Sequence, residues 1–240
     1  MGKTEETVII DRNISNIATS VKDLHSDSPR KSAVYGLCIH GTGRSIVHGA
    51  KAARTPIIDR IVDYYQSSVY SCHYVIDYTG SIYQISHDDR RVSHVGVSPG
   101  ERVRYLSGDW KVDPLLPASV ILRWHRRWRK DSPQHLYPGS SPNEVYVGVE
   151  LPPVVPALED GLWYTEAQHA AVAELAEDLR IRHNWPGFKN PSPRLVGHED
   201  LDAYGRWDTG GGWDPGYLRP TPRFRWDMVY AHLAAVGAVI

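Results

Sequence analysis

Apolar runs, and the residues that end them, divide this chain into a small set of elements. Ala33–Ile39, A-V-Y-G-L-C-I, is rich in strand formers and stops at His40, where the chain opens into Gly41-Thr42-Gly43. A buried strand with that ending delivers its histidine to the rim of a sheet, where ligands tend to bind. In Pro56–Ser67 the positions Ile57, Ile61, Val62 and Tyr65 recur at helical spacing behind an N-terminal proline. Ser71–Asp77 and Ser81–Ile85 flank Tyr78-Thr79-Gly80 and predict a β-hairpin, with His73 on its first strand. His94, in V-S-H-V-G-V, belongs to the next extended piece.

The second half follows the same logic. Val145–Leu151, V-Y-V-G-V-E-L, is the most strand-like run and is closed by Pro152-Pro153, which cannot continue a ladder. Its Glu150 is costly near the end of a buried strand unless it has a partner or a task. Thr165–His183 predicts a helix: Thr165 and Gln168 make a capping box, Val172, Leu175 and Leu179 an apolar face, and Asn184-Trp185-Pro186-Gly187 a stop. A short apolar run, Leu195–Gly197, and a helix around Trp226–Val236 complete the set. Strands alternating with helices in this order predict an α/β (α+β) fold, a central mixed sheet with helices over its faces. The expected organisation is one domain over residues 33–240, preceded by a polar segment, 1–32, and interrupted by an insertion at about 98–143.

Composition narrows the classes. With 240 residues, 41% of them hydrophobic, the chain can bury a sizeable core. Its 27 basic residues balance 28 acidic ones, so no global field points to nucleic acid. Two cysteines in a chain of this length do not make a disulfide framework, and both read as reduced thiols. Met1–Arg30 has no apolar stretch of signal-peptide length, and no apolar run is long enough to span a membrane. The expectation is a monomeric protein made in the cytoplasm, needing release by other means if its target lies outside.

Val196–Gly216, V-G-H-E-D-L-D-A-Y-G-R-W-D-T-G-G-G-W-D-P-G, carries the most chemistry. An imidazole, His198, and a carboxylate from the far side of one loop give two corners of a tetrahedral zinc site, provided a third ligand arrives from elsewhere and one position stays open. A lone histidine beside acids and a Gly-Gly-Gly run also describe an ordinary surface loop. The metal reading therefore depends on an upstream histidine, and His40 is placed to supply it.

These blocks together carry a resemblance. I-H-G-T-G at 39–43, S-C-H-Y-V-I-D-Y-T-G-S-I-Y-Q-I at 71–85, R-V-S-H-V-G at 91–96, V-G-V-E-L at 147–151 and G-H-E-D-L-D…W-D-P-G at 197–216 resemble the type 2 N-acetylmuramoyl-L-alanine amidases. That family includes phage endolysins, cytoplasmic muropeptide-recycling amidases and peptidoglycan recognition proteins. The likeness spans roughly 33–235, in the same order, and is more specific than any single block. It implies Zn²⁺ held by His40, His198 and Asp214, with Glu150 as the acid that handles the proton of the attacking water. His73 and His94 match histidines near the cleft, in supporting or substrate-contact roles. The implied substrate is peptidoglycan or a muropeptide, cut between N-acetylmuramic acid and L-alanine.

Two departures qualify the match. Some phage-type members carry a catalytic tyrosine where Cys72 stands, which makes Glu150 the expected proton carrier. Many have a lysine two residues before the third ligand, at Gly212, so that Arg206 is the cation left to help the substrate. Asp208, ten residues beyond His198, competes with Asp214, sixteen beyond, as third ligand; Pro215-Gly216 and Phe224-Arg225-Trp226-Asp227 favour Asp214.

Within the insertion, Pro117–Lys130 sets five basic residues beside Trp124 and Trp128. This is either a surface for an anionic envelope or a solvated helix packed on the core. Cys38 shares a strand face with His40 and reads as a small buried hydrophobe near the site. The favoured activity is that of a bacteriolytic, endolysin-type zinc amidase. A recycling amidase, a recognition module that binds without cutting, and a metal-free glycosidase built on Glu150 are the alternatives.

Overall fold

The computed structural model describes residues 17–19, 28–43, 57–96, 141–154, 162–202, 206, 214–216 and 223–240. In chain order these contain β1 (Ile17–Thr19), β2 (Ser28–Pro29), β3 (Gly36–Gly41), α1 (Ile57–Ser67), β4 (Tyr74–Ile76), β5 (Ile82–Gln84) and β6 (Arg90–Arg91). There follow α2 (Pro142–Val145), β7 (Tyr146–Leu151), α3 (Glu166–Arg182), β8 (Leu195–Gly197), α4 (His198–Leu201) and α5 (Trp226–Ala235). The expected strands and helices are all present, most within a residue or two of the predicted ends.

Six strands form one mixed sheet in the order β1-β5-β4-β7-β3-β8. Only β4 and β5 pair antiparallel; the remaining neighbours are parallel. That hairpin is closed by Asp77, whose carboxylate accepts from the Thr79 and Ser81 amides at 2.9 and 3.0 Å. Gly80 follows at φ +85°, a conformation that glycine adopts without a Cβ clash.

Alternation along the central strands sorts their side chains onto two faces. Leu37, Ile39, Val147, Val149 and Leu151 meet Val172, Leu175 and Leu179 of α3 and Val229, Tyr230 and Leu233 of α5 in the main core. Leu175, Leu179 and Leu233 are fully buried, each worth roughly 1.5–3 kcal/mol against exposure. The predicted capping box opens α3: Thr165 accepts from the Gln168 amide, and the Gln168 side chain accepts from the Thr165 amide. On the opposite face α1 packs Ile61, Val62 and Tyr65 against Val75 and Cys72. This thinner face, carrying Cys38, His40, Gly148 and Glu150, is where the polar residues gather.

The segment expected to precede the domain is partly built into it. β1 extends the sheet beyond β5, and β2 pairs with β6. Three residues, Ile-Ala-Thr, are too short a run to announce a strand within a polar stretch, so the boundary read at residue 33 does not mark the edge of the folded unit. Of the expected insertion only its last residues, Ser141 to Asn143, are described; Pro117–Lys130 lies outside the described residues. Cys38 and Cys72 are both free and buried. No helix among the described residues is long and apolar enough to cross a membrane.

Candidate metal centre

His40 and Glu150 are penultimate on the parallel neighbours β3 and β7, and the register sets them directly opposite one another. On the other side of β3, β8 ends at Gly197 and the chain turns at once into α4, so that His198 meets His40 with ring centroids 4.7 Å apart. Asp214 is brought to the same point by its backbone. The Glu199 amide donates to the Asp214 carbonyl at 2.9 Å, the Gly216 amide donates to the Glu199 carboxylate at 2.8 Å, and the Tyr164 hydroxyl donates to the Pro215 carbonyl at 3.0 Å. The Gly41 amide, at the end of β3, then donates to Asp214 Oδ1 at 2.8 Å.

His40, His198 and Asp214 are 2%, 1% and 3% exposed. One ligand atom from each lies within 4.8 Å of the others. His198 Nε2 sits 2.9 Å from the Gly96 carbonyl, which can only accept, so the proton is on Nε2. Arg206 Nη2, 3.2 Å from the same atom, is then an adjacent charge. His198 Nδ1 is buried and faces Asp214 Oδ2 at 2.9 Å, so that in the neutral ring its lone pair is turned on the carboxylate. Two lone pairs turned on one another inside a protein call for a proton or a metal ion between them. An imidazole pair plus a carboxylate is a donor set that suits zinc, and these residues fit it.

His40 completes the case from the other side. His94 Nε2 lies 3.1 Å from the Tyr146 carbonyl and so carries the proton, which leaves His94 Nδ1 to accept from His40 Nε2 at 3.0 Å. His40 Nδ1 is thereby turned to Asp214, 3.7 Å away. Burial would lower His40, but Cys38 and Asp214 override it and raise it well above its ordinary value, so an entering metal ion competes with a proton. Burial alone would raise the Asp214 carboxyl, yet His198 and His40 hold it well below the usual range. A second possible group, Cys38, His40 and His94, shares His40. Its two nitrogens already hydrogen-bond to each other, so the His198 and Asp214 side is the better metal position.

Glu150 accepts from the Thr42 hydroxyl at 2.9 Å and from the Tyr65 phenol. Burial raises its carboxyl above the ordinary value, with His40 pulling the other way. That increases its ability to take up and hold a proton.

The other expected site residues separate. Arg206 stands at the centre, its Nε 3.6 Å from Asp214. His94 is buried beneath His40. His73 is fully buried and precedes β4: its Nδ1 accepts from the Gly148 amide at 3.0 Å, and its Nε2 donates to the Arg90 carbonyl at 2.9 Å. With both nitrogens committed to backbone, His73 supports the sheet from below, and the expected substrate contact does not fit its position. Asp208 lies outside the described residues. Gly148 is required where it stands, since a Cβ there would be 2.5 Å from His94 Nδ1.

A family model described as N-acetylmuramoyl-L-alanine amidase matches residues 30–217. The chain belongs to this family. No curated protein matches the amidase sequence, but solved structures resemble its fold. Hydrolase AmiA of Staphylococcus aureus, determined in complex with its ligand, superposes with a TM-score of 0.52 at 14% identity, covering 93% of this chain and 86% of that one. An AmpD selenomethionine derivative gives 0.49 at 16% identity, covering 91% and 95%. At such identities the AmiA likeness speaks for the fold alone.

Several residues of this amidase's centre carry no sequence signal of their role. Tyr65 reads as one more apolar position on α1, and Thr42 as part of a Gly-rich turn. Arg30 lies in a polar stretch, and Asn143 in the short helix α2 before β7. Glu199 could have been suspected from its place directly after His198.

Proposed function

We propose that this protein is a zinc-dependent N-acetylmuramoyl-L-alanine amidase that cuts the amide between N-acetylmuramic acid and L-alanine in peptidoglycan. Its role is bacteriolytic, of the endolysin type, exerted on the wall after release from the cytoplasm. The single observation that carries this reading is the buried Nδ1 of His198, turned onto Asp214 Oδ2 at 2.9 Å beside His40 and across from Glu150. His40, His198 and Asp214 would hold the ion. Bound there, zinc supplies polarisation of the scissile carbonyl and lowers the pKa of water.

The chain's own groups do the rest. Glu150 takes a proton from the attacking water and returns it to the departing L-alanine nitrogen, leaving a lactyl carboxylate and a free amine. Thr42 and Tyr65 aim its carboxylate. Arg206, next to His198 and Asp214, meets substrate oxygen.

The test is digestion of purified peptidoglycan with mass analysis of the products. Free L-alanine amino termini on intact glycan strands are expected, abolished by chelator and restored by zinc. New reducing sugar ends, or activity that persists in chelator, would exclude this chemistry. Asp214→Ala should lose bound zinc while Asp208→Ala keeps it. Turnover of soluble muropeptides with intact sacculi left untouched would replace the endolysin role by recycling.

A further inference from the structure

Below the metal centre a second set of polar groups converges on one backbone carbonyl. The Tyr146 carbonyl accepts from His94 Nε2 at 3.1 Å and from Arg30 Nη2 at 3.2 Å. Arg30 also donates to the carbonyls of Asp88 at 2.9 Å, Asn143 at 3.1 Å and Arg90 at 3.0 Å, and its Nη2 lies 3.0 Å from His73 Nε2. The segment bearing His94 is clamped in turn by Asn143, whose Oδ1 accepts from the His94 and Val95 amides at 3.1 and 2.8 Å and whose Nδ2 donates to the Val95 carbonyl at 3.0 Å. Gly148 leaves no room for the imidazole to shift sideways. The ring of His94 therefore has one position and one tautomer, with Nδ1 as acceptor toward His40.

We infer that His94, anchored through Arg30 and the Tyr146 carbonyl, is a positioning residue that keeps the His40 proton on Nε2 and so presents Nδ1 to the metal. This rests on His40 being a ligand. A carbonyl is the usual partner for the far nitrogen of a metal-binding histidine; here a second imidazole stands between, relaying the carbonyl's preference by one ring. An imidazole accepts at Nδ1 only while its Nε2–H is held, which is what the Tyr146 carbonyl does. Arg30 fixes that carbonyl without touching either ring nitrogen that the relay uses.

The experiment compares wild type with His94→Gln, which keeps an acceptor and a donor, His94→Phe, which keeps neither, and Arg30→Met. Zinc affinity is measured by chelator competition. The ring protons of His40 are assigned by ¹⁵N NMR on metal-free protein, at a pH high enough for His40 to carry one proton. Expected are a proton on Nε2 in wild type and His94→Gln, mixed tautomers in His94→Phe, and zinc affinity lowered about 10–100-fold in His94→Phe, with a smaller fall in Arg30→Met and recovery in His94→Gln. A wild-type His40 protonated on Nδ1, or His94→Phe with unchanged affinity and one tautomer, overturns the inference. Should His94→Phe fail to fold, the wild-type spectrum and the Arg30→Met affinity still decide it. A wild type that binds no zinc yet shows the Nε2 proton would remove the metalloenzyme reading and leave the relay standing.

Discussion

Replacing Glu150 by glutamine separates chemistry from architecture at this site. The substitution keeps the side chain's size and an oxygen that can accept from Thr42, 2.9 Å away, and removes the ability to carry a proton. Loss of a positioned general acid–base group costs about 10²–10⁴ in rate, which corresponds to about 2.7–5.4 kcal/mol of barrier. Stability should move the other way. Burial raises the Glu150 carboxyl, which means that the charged form is the less comfortable one in the folded protein. The sign follows: an acid whose pKa is higher folded than unfolded subtracts from stability at neutral pH, and a neutral amide relieves that cost.

The assay is amine release from a soluble N-acetylmuramoyl-peptide by the zinc-loaded protein, alongside a thermal melt and a zinc titration. Glu150→Gln should show kcat reduced by about 10²–10⁴ with an unchanged or higher melting temperature and zinc retained. Activity within about tenfold of wild type would show that another group carries the proton. Loss of zinc together with a lower melting temperature would make Glu150 a ligand or a structural prop instead.

Gly148→Ala would place a Cβ 2.5 Å from His94 Nδ1, against a ring that Tyr146 and His40 hold from both sides; the expected destabilisation is about 1–3 kcal/mol, read as a lower urea midpoint, and an unchanged midpoint would show that the ring yields freely. Acid should weaken the metal-free protein through His73, which burial and the Arg30 charge lower to about 3. Because that folded value lies below the unfolded one, the unfolded chain binds the extra proton, and stability falls by about 1.4 kcal/mol per unit between about pH 6.5 and 3. Urea unfolding of wild type and His73→Gln at pH 7 and 4.5 tests this, and parallel losses in both proteins would rule His73 out as the cause.

The legible part of this molecule is what repeats or stops along the chain. His40 and His198 could be placed because each follows an apolar strand that ends in glycine-rich or turning backbone, and Glu150 because a carboxylate late in V-Y-V-G-V-E-L conflicts with its surroundings. The capping box of α3 is local, and was readable for that reason. Arg30, Asn143 and Tyr65 act through contacts with backbone and side chains far away in the chain, which leave no period and no neighbouring pattern. β1 escaped notice because a three-residue strand is shorter than one cycle of any useful alternation. His73 and His94 shared the motif of a site residue, and only their hydrogen bonds distinguish a support from a contact.

The two faces of the sheet divide the work in a way that accounts for where the site lies. Leu37, Ile39, Val147, Val149 and Leu151 hold the central strands to α3 and α5 through the main apolar core. The same strands, one residue out of step, offer His40, Glu150 and the gap at Gly148 to the opposite side. Burying His40, His73, His94, His198 and Asp214 beside the half-buried Glu150 is unfavourable, and it is tolerated because each hydrogen-bonds or closely faces a polar partner. His198 Nδ1, 2.9 Å from Asp214 Oδ2, is the point where this network demands a proton or a metal ion between two acceptors. A cation placed there meets that demand and puts its charge opposite Glu150, so the requirement for stability and the requirement for catalysis fall on the same point.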